Sequence, residues 1–347
     1  MKVALLALGL FLILATVLSI VRSERWWIRV FDFPRLQIAI MLGAVLILFC
    51  FFYRPYAVAE SFFLLALVAS FGYQSYRIFP YTRLSPVQVV RADPGDSSSC
   101  IRLLIANVLM DNRRADDFLA LVRDNDPDLV FAVETDDWWD QQLSALDPEY
   151  PFAIKIPINN TYGMHLFSRL ALDQSDVRFL IEEHVPSIRT AVQLRSGDWI
   201  DFYGAHPRPP KPKQDTEERD AELLLIGKEV KAQGRPAIVG GDLNDVAWAH
   251  TTRLFQRISG TLDPRIGRGM FNTFHAKYPM FRWPLDHIFH AKPFTIVGLK
   301  RLGYFGSDHF PVLAELCYQP SAAPRQEAPT ADRGDRDEAR EKIQKGQ

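Results

Sequence analysis

Apolar residues fill the first eighty positions in three blocks. Val3 to Val21 is uncharged and mostly Leu, Ala, Val and Ile; Leu36 to Tyr53 is a second such run; a third lies between Arg54 and Arg77 and carries Glu60 as its one charge. Each approaches the roughly 20 residues that an α-helix needs to cross a hydrocarbon core. Three spans are therefore expected, at about 3–21, 36–53 and 56–76, with Glu60 close enough to an end to reach the interface. The first block is longer than the apolar region of a typical secretory signal, no A-x-A site follows it, and a second span comes soon after, so a retained helix is expected rather than a cleaved leader. Trp26 and Trp27 among Arg22, Arg25 and Arg29 read as an interfacial anchor.

The pattern then changes twice. Tyr81 to Ser99 is rich in Pro, Asp, Ser and Gly ("SPVQVVRADPGDSSSC") and reads as a linker. From Pro320 to Gln347 apolar residues nearly vanish, which predicts a disordered tail. The division is a membrane domain over 1–79, a linker over 80–99, one globular domain over 100–319, and the tail over 320–347.

Within the globular part, short β-type runs alternate with a few helical periods. "IRLLIANV" (101–108) and "DLVFAVE" (128–134) read as strands, and Ala115, Phe118, Leu119 and Val122 recur between them at helical spacing. Further strands are expected at 162–168, 188–195, 198–205, 236–241, 285–290, 295–301 and 311–318, with a helix over 215–232. So many strands with so few helices predict two sheets packed face to face and flanked by helices, an α/β fold.

Polar residues stand at the ends of these strands. Asn107 closes the first, Glu134 the second, and His206 ("YGAHPRPP") another. Asp242 and Asn244 ("IVGGDLND") follow an apolar run, Asp286 ("WPLDHIF") begins a strand, and Asp308 with His309 ("GSDHF") precedes the last one. Singly each has a bland reading as a turn, a strand terminator or a buried structural histidine. Six in one domain point to a site. The whole-chain charge adds nothing, since Lys+Arg 40 against Asp+Glu 41 leaves −1.

The order and spacing of "GDLN" (241–244), "PLDHIF" (284–289) and "GSDH" (306–309), with looser matches at "PDLVFAVE" (127–134) and "YGMHLFSR" (162–169), resemble the endonuclease/exonuclease/phosphatase superfamily. The resemblance covers about 101–318. It implies a DNase I-like four-layer α/β/β/α sandwich, here behind three transmembrane helices, and a phosphoric ester hydrolase using Mg²⁺ or Mn²⁺. Glu134 and Asn107 are then expected as oxygen ligands, with Asp308 contributing to the metal site. Asp242 would orient and deprotonate the attacking water, and Asn244 would donate to a phosphoryl oxygen. His309 would sit at the phosphate with Asp286 fixing its tautomer and charge, and His206 would approach from the other side as proton donor or cation. Arg208 in the Pro-rich loop is a further phosphate ligand candidate, while His165 reads as structural. Leu109 stands where some DNA-repair members carry an acid, which weakens a two-metal arrangement, and Val133 stands where many have Gln.

Basic residues form no long run of the kind that duplex binding demands. The apolar blocks favour a substrate at the bilayer, such as a lipid-linked phosphate, pyrophosphate or phosphodiester. A nuclease acting on DNA or RNA is the runner-up, and a non-catalytic membrane scaffold the third reading. Sidedness draws two opposed signals. Arg22, Arg25, Arg29, Arg35, Arg77, Arg83 and Arg91 against Lys2 and Arg54 favour a cytoplasmic domain by the positive-inside rule. Cys100 and Cys317 stand at matching depths on strands expected to be neighbours, and a disulfide there implies an oxidising compartment. Similar membrane-anchored members place the domain outside, so a multi-pass protein of the bacterial cytoplasmic membrane with an external catalytic domain is expected. Oligomeric state has no signal in the sequence.

Overall fold

The computed structural model describes residues 2–52, 58–93, 97–212 and 214–347. Helices α1 (Lys2–Leu18), α3 (Arg35–Phe52) and α4 (Val58–Ile78) form a bundle, and the short α2 (Trp26–Arg29) lies in the first connection. Leu12, Ala15, Leu42, Val45, Phe49, Phe63 and Leu67 pack between the three helices. Their outer faces leave Leu10, Phe11, Ile40, Ile47, Phe51, Phe62 and Leu65 exposed, an apolar surface that water does not favour. Two helices, Arg35–Phe52 and Val58–Tyr81, are long and apolar enough to cross a membrane by length and composition. The expected third span, α1, is apolar but has 17 residues, so at 1.5 Å per residue it falls about 5 Å short of a 30 Å core. The expected bounds at Tyr53, Arg54 and 56–57 lie outside the described residues.

The globular domain contains β1 (Cys100–Asn107), α5 (Ala115–Asn125), β2 (Leu129–Val133), α6 (Asp137–Leu143), β3 (Phe152–Ile156), β4 (Met164–Ser168), β5 (Leu172–Arg178), β6 (Ser187–Gln193), β7 (Trp199–Ala205), α7 (Glu217–Gln233), β8 (Ala237–Asp242), α8 (His250–Ser259), β9 (Asp286–His290), β10 (Phe294–Arg301) and β11 (Val312–Tyr318). One sheet has the order β10-β11-β1-β2-β4-β3 and the other β5-β6-β7-β8-β9. Their facing surfaces interlock through Ile105, Phe131 and Val133 on one side and Ile188, Phe202, Ile238 and Ile288 on the other. The outer face of the first sheet is covered by α5 and α6 through Phe118, Val122 and Trp139. That of the second is covered by α7 and α8 through Leu223, Ile226 and Phe255. Strands β2 and β8 are buried along their whole length, as a two-sided core requires.

Strands β3 and β5 escape the sequence pattern because each is an edge strand. β5 reads "LDQSDVR" and is largely exposed. Charged, solvated edges of this kind discourage further pairing.

Two expectations are corrected. Residues 320–347 are not disordered: after a short 3₁₀ turn at Pro320–Arg325, helix α9 (Arg333–Gly346) packs on the domain. Asp332 and Asp335 form a capping box, Ala339 and Ile343 bury against Leu224, Leu254 and Ile258, and Arg257 binds Asp335 with two hydrogen bonds, 2.8 and 2.9 Å. Two apolar residues at i, i+4 in a polar tail are too few to register as a pattern, yet they suffice when an apolar groove awaits them. The segment 80–99 is likewise no free linker. The Tyr81 hydroxyl donates to the Ala247 carbonyl at 2.6 Å, Val89 is fully buried, and Ala92 N–H donates to Ile296. Pro94–Asp96 lie outside the described residues.

The N-terminal helices dock on the loop after β8. Arg29 lies 2.7 Å from Asp32 and 3.0 Å from Asp245, and the Trp248 indole donates to the Asp32 carbonyl at 2.7 Å. Arg35 holds Ser19 and Gln74, both at 3.1 Å, so one buried network joins the ends of α1, α3 and α4 on the side that faces the domain. Cys100 and Cys317 are direct register partners on β1 and β11 and are joined by a disulfide.

Candidate active site

The strand ends carry the polar residues to one edge of the sandwich, beside the docking loop. β8 reaches that edge through Gly241, whose φ is +148° and where a Cβ would lie 1.9 Å from the Ala205 carbonyl oxygen. Only glycine lets β8 pass β7 this closely. The register then sets Asp242 opposite Asp286 of β9. Two carboxylates facing each other repel, and an imidazole sits between them. His309 Nδ1 lies 2.8 Å from Asp286 and its Nε2 3.5 Å from Asp242.

Asn107 links the two sheets. Its amide N–H₂ donates to Glu134 at 2.7 Å and to Asp242 at 3.1 Å, while its oxygen accepts the Leu109 N–H at 2.9 Å. The amide therefore turns its nitrogen, not the expected oxygen, toward the carboxylates. Glu134 and Asn244 have φ of +63° and +51°, left-handed conformations that cost non-glycine residues energy and cluster at functional sites. Asp242 accepts the Asn244 backbone N–H at 3.0 Å, and the Asn244 side chain donates to Pro207 at 3.0 Å, leaving its second amide hydrogen for another acceptor.

His206 comes from β7 and stands 3.9 Å from Glu134 and 3.8 Å from Asp242. Its Nδ1 has no hydrogen-bond partner among the described residues. The "GSDH" turn is tied to β1 by Ser307, whose hydroxyl donates to the Asn107 carbonyl at 2.8 Å and accepts the His309 N–H at 3.0 Å. Ser307 thus positions both Asn107 and His309. Asp308, half-buried, accepts the Ala276 N–H through its carbonyl at 2.6 Å.

Burial and charge divide these groups. Burial opposes charging His309, but Asp286 and Asp242 outweigh it and push its pKa up to about 10. Burial dominates at His206 and pushes it down to about 4, so it is neutral at pH 7. Of the two roles the sequence left open for it, proton donor or cation, the neutral ring suits hydrogen-bond donation. Glu134 is pushed up to about 7 by burial, with Asp242 and Asp308 adding to the effect against its bond from Asn107. Asp242 is raised by burial too.

These residues fit a divalent cation. Four carboxylates, Glu134, Asp242, Asp286 and Asp308, face the one His309 imidazolium, and the surplus of hard oxygen is what Mg²⁺ or Mn²⁺ relieves. Asp242, Asp286 and His309 also bring ligand atoms within 4.8 Å of one another. An imidazolium bonded to Asp286 has no lone pair to give, so that trio suits proton handling better than metal binding.

Arg208 is paired with Glu182 at 2.7 Å beside Tyr162, whose ring centroid lies 5.8 Å from that of His206. His165 is buried between Thr135 and Asp140, 2.8 Å from each, as a structural histidine. Sequence reasoning missed Phe274, whose ring centroid is 5.0 Å from that of His309, because a lone Phe in a loop carries no signal. It also missed Asp245, which "GDLND" displays but which works from behind the site. His287 Nε2 bonds the Asp245 carbonyl at 2.8 Å, and Arg219 the Asn244 carbonyl at 2.8 Å, so the loop bearing Asp242 is fixed from three directions.

Residues 104–309 match the model of the Endonuclease/Exonuclease/phosphatase family. No curated protein matched the chain. Among solved structures, zebrafish (D. rerio) TDP2 in complex with single-strand DNA product is similar at 18% identity and TM-score 0.53, covering 63% of this chain and 99% of that one. An endonuclease/exonuclease/phosphatase from Bacteroides vulgatus gives 19% and 0.52 over 63% and 99%. The human Nocturnin catalytic domain with bound sulfate gives 17% and 0.53 over 69% and 99%. At such identities the structural likenesses speak for the fold alone.

Proposed function

The chain belongs to the endonuclease/exonuclease/phosphatase family, whose members are phosphoric ester hydrolases, and from that premise we propose that it is a membrane-anchored, divalent-metal-dependent phosphohydrolase acting on a lipid-linked phosphate, pyrophosphate or phosphodiester. The observation that carries this reading is the docking of the loop bearing Asp242 and Asn244 onto the first membrane connection through Arg29, Asp32 and Trp248. A site fixed there meets headgroups, not free solutes, first.

In this reading α1, α3 and α4 all span, α1 by tilting little and drawing on Lys2 and the residues after Leu18 at its ends. Glu134 and Asp308, with Asn107 beside them, would hold the cation, which would supply neutralisation of the charge building on the phosphoryl oxygens. Asp242 takes the proton of the attacking water, its raised basicity and the Asn244 N–H bond fixing where that proton goes. The His309 imidazolium, held by Asp286, and the second amide hydrogen of Asn244 donate to the phosphoryl oxygens. His206, neutral, donates its ring N–H from the opposite side.

The test is hydrolysis by the full-length protein in detergent or nanodiscs with Mg²⁺, against lipid-linked phosphates and pyrophosphates, phospholipids, DNA and RNA. Turnover of lipid-linked substrates that EDTA abolishes and Mg²⁺ restores is expected. Turnover indifferent to EDTA would sink the metal mechanism. Cleavage of DNA without lipid turnover would favour nuclease action, the reading that similarity to a DNA-bound TDP2 keeps second.

The disulfide favours a domain on the oxidising, outer side of a bacterial cytoplasmic membrane. Alkylation of non-reduced membranes should leave Cys100 and Cys317 unlabelled, and reduction before alkylation should expose both. Labelling of either without reduction contradicts that placement.

A further inference from the structure

Beside the site, an apolar groove of about 630 Å³ runs between the globular domain and the first membrane connection. Its walls are Val30, Phe33 and Met41 from the membrane side, and Pro210, Phe281 and Trp283 from the domain. One end touches the site: Trp283 stacks on Phe274 with centroids 6.0 Å apart, and Phe274 lies against His309. Pro210 ends the loop that begins at His206 and whose Pro207 carbonyl holds Asn244. The other end follows α3 to Met41, beside the lipid-facing Ile40. The groove therefore ends two ring contacts from His309 on one side and beside the exposed Ile40 of α3 on the other.

Its rim is also apolar. Tyr278, Met280, Phe281, Trp27 and Val30 are exposed together on this face, and the 279–281 turn is fixed to α3 by Gln37, which donates to the Met280 carbonyl at 2.8 Å. Exposed aromatic and aliphatic side chains grouped next to spanning helices sit at the membrane interface. The Trp283 indole N–H is buried and has no partner among the described residues, an unspent donor at the junction of groove and site.

We propose that this groove holds the hydrocarbon chain of a substrate whose phosphate or pyrophosphate lies at Asp242 and His309, and that the substrate carries one long chain. The proposal rests on the phosphohydrolase reading and narrows it. At roughly 30 Å³ for a group the size of a water or a methylene, the groove takes about twenty such groups, enough for one chain and too few for the two tails of a diacyl lipid. The chain enters alongside Met41, passes between Phe33 and Phe281, and delivers its ester oxygen past Trp283. The Trp283 N–H is placed to bond an oxygen of the headgroup.

The experiment uses the full-length protein in nanodiscs and two readouts. Metal-dependent phosphate release is compared for a short, water-soluble prenyl pyrophosphate, a long-chain prenyl pyrophosphate and a diacyl phosphatidate. Separately, a long-chain prenyl phosphate bearing a diazirine is photolysed with the protein and its adducts are mapped. The wild type should favour the long single chain over the short one by at least about tenfold in kcat/KM and turn over the diacyl lipid poorly. Phe281→Glu and Met41→Glu, neither of which touches the reacting atoms, should erase that preference, bringing kcat/KM for the long-chain substrate down to that for the short one. Adducts should map to Met41, Phe281 or Trp283. Short-substrate turnover without chain-length preference, or variants that lower both substrates equally, would overturn the groove while sparing the hydrolase. If no substrate turns over, the hydrolase reading fails instead, and adducts then decide the groove alone: labelling at those residues supports it, and labelling confined to the outer faces of α1, α3 and α4 rejects it.

Discussion

Replacing Asp242 with Asn, or His309 with Ala, should lower kcat by at least 10²-fold, and the double replacement should cost little more than either alone. The two groups lie 3.5 Å apart and act in one step, Asp242 taking the proton of the attacking water while His309 stabilises the charge building on the phosphoryl oxygens, so removing either disables the unit. Single-turnover hydrolysis with the preferred substrate is the measurement, and either variant above a tenth of wild-type activity would contradict the assigned roles. A pH signature accompanies the loss. The His309 pKa is raised from 6.5 to about 10, so the folded protein holds a proton that the unfolded chain releases. The stabilisation is complete below pH 6.5 and declines as pH rises toward 10. Thermal inactivation midpoints should therefore fall over that window in the wild type, and the fall should be shallower in His309→Gln.

Arg29→Ala is expected to be the most destabilising exposed-to-none charge deletion outside the site, by about 3–5 kcal/mol. It removes the one cation bridging Asp32 and Asp245, both buried, and leaves Asp245 to Arg219 alone at 3.4 Å. Because Asp245 sits three residues after Asp242, activity should fall at temperatures where the fold still holds. Urea unfolding in detergent, followed through the fluorescence of Trp248, which is fixed to Asp32, checks the first part. A loss below about 1 kcal/mol would mean that the network is not what joins the two domains.

The fold of the sandwich is legible wherever a strand is apolar on both faces: β1, β2, β7 and β8 declare themselves as short runs ending in a polar residue, and that ending is the site. Asn107, Glu134, Asp242, Asn244, Asp286 and His309 were each readable as a polar break at a strand end, and the structure brings them together. Electrostatic state was not readable, since whether His206 is charged depends on burial among carboxylates contributed by three other strands. Arg208 looked available because its partner Glu182 is 26 residues away in sequence and carries no pattern of its own. The docked α9 was invisible for a similar reason. Its contacts are made by Arg257, Lys342 and two apolar residues, and only the surface of α7 and α8 gives them meaning. The groove is the extreme case, assembled from three segments of which none looks like a binding element.

The disulfide between Cys100 and Cys317 closes a ring of chain 217 residues long, and every polar residue of the site lies within it. By the loop-entropy model such a closure disfavours the unfolded state by about 5 kcal/mol. A nick in any loop between the two cysteines leaves both fragments attached. The ring keeps the strands that carry the site in one covalent loop, so a cut ahead of Cys100 would remove the groove-lining helix α3 and the Arg29 bridge to Asp245 while every proton-handling residue stays within that loop.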